Sequence, residues 1–341
     1  MKIGDREIGD GSPPFIISEI GINHGGSLEV AKKMVKTIAE SGGECVKHQT
    51  HILEDEMTEE AKAIIPPNAS ISIWEIMEKC CLSLDEEYEL KEFSEKLGLI
   101  YLSTPFSRKA ADFLNEIGVL AFKVGSGEVD NLALLNHIAN FKKPMIVSTG
   151  MQNLQDLDRS VSLLKSKEVE FALLECTNLY PSQPEFVSLN GITELRDRYQ
   201  VSVGFSDHSI GPYMAIASIS KGACIIERHF TDTRYREGPD IICSMDGPEL
   251  RLLVDISKEI ALSCNNKKER TSPEESVRLF ARSSLVADRD IKKGEVLDET
   301  MVWARRPGNG EISGSEYFSV IGKKVRRDLK YNHQLQWEDL I

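Results

Sequence analysis

Short apolar, β-branched runs alternate with helix-length amphipathic stretches along most of the 341 residues. Eight runs stand out: Phe15–Gly21, Cys45–Thr50, Ile100–Pro105, Ala121–Ser126, Pro144–Thr149, Phe171–Thr177, Ser202–Asp207 and Cys224–Phe230. Between them lie segments with 3.6-residue apolar spacing, such as Ser27–Glu40 and Asp85–Leu97. Ser27 precedes its segment as an N-cap, where a hydroxyl accepts from an otherwise unpaired backbone N–H. Strand and helix in strict alternation predict βαβ units and a parallel sheet. Eight such repeats ending near residue 265 match an α/β fold, the (β/α)8 TIM barrel, which needs about 250 residues. The competing doubly wound open sheet has no GxGxxG after its first run. The barrel is therefore expected over residues 1–264, a polar, Pro-containing linker over 265–280, and a small turn-rich domain over 281–341.

The runs break from apolar into polar residues at their ends: Glu19; Lys47 with Gln49; Thr104; Lys123 with Ser126 and Glu128; Ser148; Asn178; Asp207 with His208; and Glu227 with His229. In a barrel the C-terminal strand ends build the active site, so these positions face one mouth. The connection over 51–84, with Pro66-Pro67-Asn68, is too long for an ordinary loop and predicts extra helices over that mouth.

Composition narrows the partners. With 41 % hydrophobic and 28 % charged residues the chain can bury a full core. The net charge of −13, divided into −14 over residues 1–280 and +1 over 281–341, opposes a polyanionic partner such as nucleic acid. No apolar run approaches the ~20 residues of a membrane span, and Met1–Gly11 lacks a signal-peptide core, so a cytoplasmic location without membrane association is expected. The seven cysteines are scattered without a CxxC pair, which indicates neither a disulfide framework nor a closed zinc site.

His208 and His229 end two consecutive strands, about 4.8 Å apart in a sheet, so their rings can converge on one divalent ion and leave positions open for substrate. Lys47 and Lys123, with Thr104, Ser126, Ser206 and Asn178 around them, form a cradle of charge-assisted donors suited to phosphate. Either lysine could instead form a Schiff base if burial lowered its pKa.

The segments SEIGINHGG, VKHQTHILEDEM, YLSTPFSR, FKVGSGE, ECTNLYP, GFSDHS, ERHFTD, GPDIICSMD and RRPGNG, in that order from about residue 15 to the end, resemble the N-acetylneuraminate (sialic acid) synthases, a family that includes legionaminic and pseudaminic acid synthases. The resemblance implies a barrel that condenses phosphoenolpyruvate with an N-acetylated mannosamine-type hexosamine, forming a nine-carbon 2-keto acid and releasing phosphate. It also implies a C-terminal antifreeze-like (SAF, β-clip-type) domain exchanged within a homodimer. By motif, Lys47, Thr104, Lys123, Ser126, Asn178 and Ser206 would hold phosphoenolpyruvate. His208 and His229 would bind manganese, with magnesium or cobalt as alternatives. Glu19, Gln49, Asn68, Tyr180, Asp240 and, from the other chain, Arg306 would face the sugar. Gly25, Glu175 and Ser182-Gln183 depart from the familiar pattern, the last close to the sugar side.

Attack by C3 of phosphoenolpyruvate on an aldehyde leaves a cation-like centre at C2 that water must capture. Glu19 and Glu128 are the carboxylates expected to stabilise it or to take the water's proton. Two other readings compete. A sister enzyme using a phosphorylated aldose would need a second cationic pocket, with Arg108 as its main candidate. A non-catalytic carbohydrate-binding protein would leave the strand-end set idle.

Overall fold

The computed structural model describes residues 1–9, 11–66, 70–264 and 266–341, so the expected sugar contact Asn68 lies outside the described residues. Eight strands form the barrel: β1 (Phe15–Glu19), β2 (Cys45–Thr50), β3 (Ile100–Pro105), β4 (Phe122–Val124), β5 (Met145–Ser148), β6 (Phe171–Cys176), β7 (Ser202–Asp207) and β8 (Ile225–His229). They pair in parallel in the order β3-β2-β1-β8-β7-β6-β5-β4. The ring closes where β3 and β4 stand side by side. Every expected run contains one of these strands.

The period of two along each strand sorts the interior into layers. One apolar cluster fills the lower barrel, from Phe15 and Ile17 on β1, Cys45 on β2, Leu102 on β3, Ile146 on β5, Ala172 and Leu174 on β6 and Ile225 on β8. Ile3, in the N-terminal hairpin of Lys2–Ile3 with Arg6–Glu7, and Ile8 just after it join this cluster. Two residues further along the same faces the side chains become Glu19, Lys47, Thr104, Ser148, Cys176 and Glu227. The opposite faces, including Val46, Tyr101, Phe122, Val147 and Ile226, pack a second cluster against the helices. Gly204 on β7 is required by this packing, because a Cβ there would stand 2.4 Å from the Ile225 carbonyl and 2.6 Å from Leu174.

Helices follow the strands, beginning with α1 (Leu28–Glu40), where Ser27 accepts from the Val30 N–H as expected. After β2 come the short α2 (Leu53–Glu56), a 3-10 turn over Glu59–Ala63 and α3 (Ile73–Cys80), the extra helices foreseen for this connection. The next helices are α4 (Leu84–Lys96), opened by a Ser83/Glu86 capping box, and α5 (Arg108–Glu116).

The described chain divides into Met1–Asn266 and Lys267–Ile341. Within the stretch read as a linker a helix begins, spanning Glu274–Ala281, and Glu274 accepts from both the backbone and the hydroxyl of Thr271. Pro273 favours rather than breaks this helix because it stands at its start, where no helical N–H is needed. Beyond it, β9 (Ser284–Ala287) and β10 (Val302–Arg305) pair antiparallel over a separate core that includes Leu285, Ile291, Val302, Ile312, Val325 and Leu335. Among the described residues no helix is long and apolar enough to cross a membrane.

Candidate active site

At the C-terminal ends of the strands the interior opens into a pocket lined by Glu19, Lys47, Gln49, Thr104, Phe106, Lys123, Ser126, Ser148, Cys176, Asn178, Tyr180, Ser206, His208, Glu227 and His229. Neighbouring registers place His229 beside Glu19, and Glu19 beside Lys47, so a base, an acid and a cation stand in one row across β8, β1 and β2. Glu19 pairs with the Lys47 ammonium and accepts from Gln49 Nε2 at 2.9 Å. Lys47 also donates to Thr104 Oγ1 at 3.0 Å. Lys123 donates to Ser148 Oγ at 2.8 Å and to the Val124 carbonyl at 3.0 Å, with Glu227 3.5 Å away. Ser206 Oγ donates to Glu227 at 3.2 Å.

Backbone forms part of the wall. Gly21, at φ +45°, leaves room that a Cβ would take, 3.0 Å from Glu19 Oε1 and 3.2 Å from Gln49 Nε2. Gly150 lies so close to Asn178 that any side chain would displace its amide, and its N–H donates to Ser126 Oγ at 3.1 Å.

Both lysines are almost fully buried, at 3 % and 2 % exposure, so neither is a solvated surface charge. Burial drives the Lys47 pKa down to about 7, against the pull of Glu227. Burial pushes the Glu227 carboxyl up, but the ammonium groups of Lys123 and then Lys47 outweigh it and hold the group below the usual range. Asp240, 3.7 Å from His229 Nδ1, is raised to about 6 by burial.

The histidine pair is assembled as expected, with ring centroids 5.3 Å apart and Tyr180 against both. Burial lowers both pKa values, in His229 with the further repulsion of His208, which favours the neutral form of each ring, the form that can ligate. His208 Nδ1 donates to the Thr177 carbonyl at 2.8 Å, which leaves its Nε2 lone pair available. His229 Nδ1 is buried without a hydrogen-bond partner. These features fit a divalent ion held in part by the protein. Among the described residues no group of three or more His, Cys, Asp or Glu side chains is placed to hold a metal ion by itself.

Three of the expected residues lie outside this lining. Glu128 is not in this pocket: β4 ends at Val124 and the chain turns through a 3-10 helix over Ser126–Glu128. Ser126 thereby faces the site, whereas Glu128 faces a neighbouring hollow with Asp55, Glu56, Arg108 and His137, where Asn131 donates to it at 2.6 Å. Asp240 stands beside His229 rather than in the lining. Arg306 is an exposed residue of the second unit. Conversely, Glu227 was recognised at a strand end without a role, and the period of two counted back from His229 identifies it as inward. A roomier hollow of about 310 Å³, lined by Gly9, Gly11, Arg196, Lys221 and Cys224 among others, has no carboxylate or histidine in its described lining.

A parallel eight-stranded barrel with a buried polar pocket at its C-terminal mouth, followed by a separate β-rich unit, defines a two-part protein of the enzyme-bearing barrel type. The NeuB family profile matches residues 34–269 and the SAF domain matches 282–341, and the chain belongs to the NeuB family. It is 36 % identical to N,N'-diacetyllegionaminic acid synthase of Campylobacter jejuni, over 93 % of this chain and 97 % of that one. It is 32 % identical to human N-acetylneuraminate-9-phosphate synthase, over 94 % and 90 %. The crystal structure of N-acetylneuraminic acid synthetase from Leptospira borgpetersenii superposes with a TM-score of 0.75 at 30 % identity, covering 81 % of this chain and 94 % of that one.

Proposed function

We propose that this protein condenses phosphoenolpyruvate with a free N-acetylated mannosamine-type hexosamine, giving a nine-carbon 2-keto acid and phosphate. The observation that carries this reading is the pair of buried lysines, Lys47 and Lys123, set among hydroxyls in the same pocket as His208 and His229. The lysines, with Thr104, Ser126, Asn178 and Ser206, bind the phosphate and carboxylate of phosphoenolpyruvate, each charged contact contributing about 1.5–3 kcal/mol. Gln49, Tyr180 and Asp240 orient the sugar, so that C3 of phosphoenolpyruvate meets its aldehyde carbon. A divalent ion, manganese in this reading, would be held by His208 and His229 and supplies Lewis-acid polarisation of the aldehyde oxygen. Carbon–carbon bond formation leaves positive charge at C2. Glu19 and Glu227, both inside the pocket, stabilise that charge, and one of them takes a proton from the water that adds to C2. Collapse of the adduct breaks the C2–O bond and releases phosphate to the lysines.

A phosphorylated sugar fits less well. Arg108, its best candidate partner, stands among Asp55, Glu56 and Glu128, whose charges oppose a second phosphate. In the proposed assembly Arg306 reaches the sugar of a second chain within a cytoplasmic homodimer. Mixing His229-deficient and Arg306-deficient proteins tests this: after demonstrated subunit exchange, activity should reappear, whereas within-chain action leaves every site defective. The reaction itself is tested by phosphate release from phosphoenolpyruvate across free and phosphorylated hexosamines. Turnover is expected with a free N-acetylated sugar; turnover restricted to sugar phosphates would overturn the substrate assignment.

A further inference from the structure

Four side chains line up from the rim of the mouth to the centre of the pocket. Gln49 Nε2 donates to Glu19 Oε1 at 2.9 Å, which fixes that amide's orientation and turns its carbonyl oxygen away. The carbonyl meets His51, whose Nε2 lies 3.3 Å from Gln49 Oε1, so the ring must carry a proton on Nε2. Nδ1 of the same ring lies 2.8 Å from Glu56 Oε2, which holds the ring from its outer side. The ring plane is set by stacking on Phe106, at 4.4 Å between centroids and 12° between planes. The His51 side chain is only 3 % exposed. Its outer partner is held as well, because the α2 residue next to Glu56, Asp55, accepts the Lys109 N–H of α5 at 2.8 Å.

Packing alone does not require this residue, since a phenyl ring would stack on Phe106 equally well. A donor at Nε2 does something a phenyl ring cannot. Without it the Gln49 amide can rotate by half a turn and present its oxygen to the Glu19 carboxylate, and Glu19 is then free to swing onto Lys47 alone. We propose that His51 is a positioning residue that holds the Gln49 amide as a donor to Glu19 and so keeps that carboxylate aimed into the pocket. This rests on the pocket being the active site of the proposed condensation.

His51→Phe keeps the stacking and most of the volume but removes the donor; kcat should fall about 10- to 100-fold while the KM for phosphoenolpyruvate stays within about twofold. His51→Gln, whose amide nitrogen reaches near the position of Nε2, should recover most of the rate. In a Gln49→Ala background His51→Phe should cost little more, because the amide it acts through is gone. Wild-type turnover in His51→Phe, or effects that multiply independently in the double variant, would overturn the proposal. Long-range proton–nitrogen NMR of the wild-type protein provides a readout that needs neither turnover nor a folded variant: His51 should be protonated at Nε2, and a bare Nε2 would overturn the proposal outright. Should the wild type release no phosphate with any hexosamine, the proposed reaction fails, and the Nε2 proton still decides the positioning chain.

Discussion

Strand β2 carries two buried polar sets on opposite faces, and they are satisfied differently. On the outward face His48 and Thr50 join a network with His24, Glu87, Tyr101 and Ser103. His24 and His48 meet at 3.1 Å, and His48 lies 3.3 Å from Glu87. Thr50 and Tyr101 donate to the same carboxylate at 2.5 and 3.0 Å. Burial raises the Glu87 pKa, but His48 and these donors outweigh it and keep the group below its usual range. On the inward face Lys47 and Gln49 belong to a set in which Glu227 Oε2 and His229 Nδ1 are buried without hydrogen-bond partners, whereas the outward atom that also lacks one, His48 Nδ1, faces the Glu87 carboxylate at 3.3 Å. Buried polar groups that serve the fold converge on one another, whereas groups left short of partners in a cleft point to something that binds there.

The sharpest way to break this comparison is to remove one group from each face. His229→Gln should lower turnover on the order of 10³-fold, the scale of a lost electrostatic contact to the transition state. It should also abolish manganese binding seen by electron paramagnetic resonance, while the unfolding midpoint barely moves. Glu87→Ala should do the reverse. It strands His48, Tyr101 and Thr50 without their shared acceptor, a loss of about 3–5 kcal/mol in denaturant unfolding, and turnover per folded molecule should be largely retained.

A carboxyl outside both sets sharpens the rule. Glu175 on β6 packs against Gly191 and is raised to about 7, first by burial and then by Glu194. Its folded pKa exceeds the unfolded value of 4.5, so its contribution is fully present below pH 4.5 and is lost as pH rises through 7. Stability should fall by up to about 3 kcal/mol between pH 4.5 and 8 on this account. Glu175→Gln should flatten that slope in urea titrations at the two pH values; an unchanged slope would remove Glu175 as its cause.

The smallest effect is expected at Glu128, beside the pocket rather than in it. Glu128→Gln should reduce turnover by less than about tenfold, whereas Glu227→Gln should cost about 10²- to 10⁴-fold, as for a group that moves a proton. Equal losses would mean that Glu128 enters the pocket when substrate is bound.

Much of this was legible in the chain itself. Alternation with a period of two within each run announces both the strands and their inward positions, because the pleat of a strand forces successive side chains to opposite sides. That rule reaches Glu19, Lys47, Thr104, Lys123 and His229 without any structure, and applied consistently it also reaches Glu227. It stops where the strand stops. Ser126 and Glu128 lie just beyond β4, where the side-chain direction is set by a 3-10 turn rather than by a pleat.

The sequence by itself determined the barrel, the strand ends and the residue types gathered at the mouth, since all three follow from local periodicity. Only the tertiary structure decided that Glu128 turns away from the lysines. It alone revealed that His51 reaches Glu19 through an amide, and that the outward polar residues of β2 gather around Glu87. Each depends on which groups meet across elements distant in the chain, and a hydrogen bond exists only where two such groups come within about 3 Å in the right orientation.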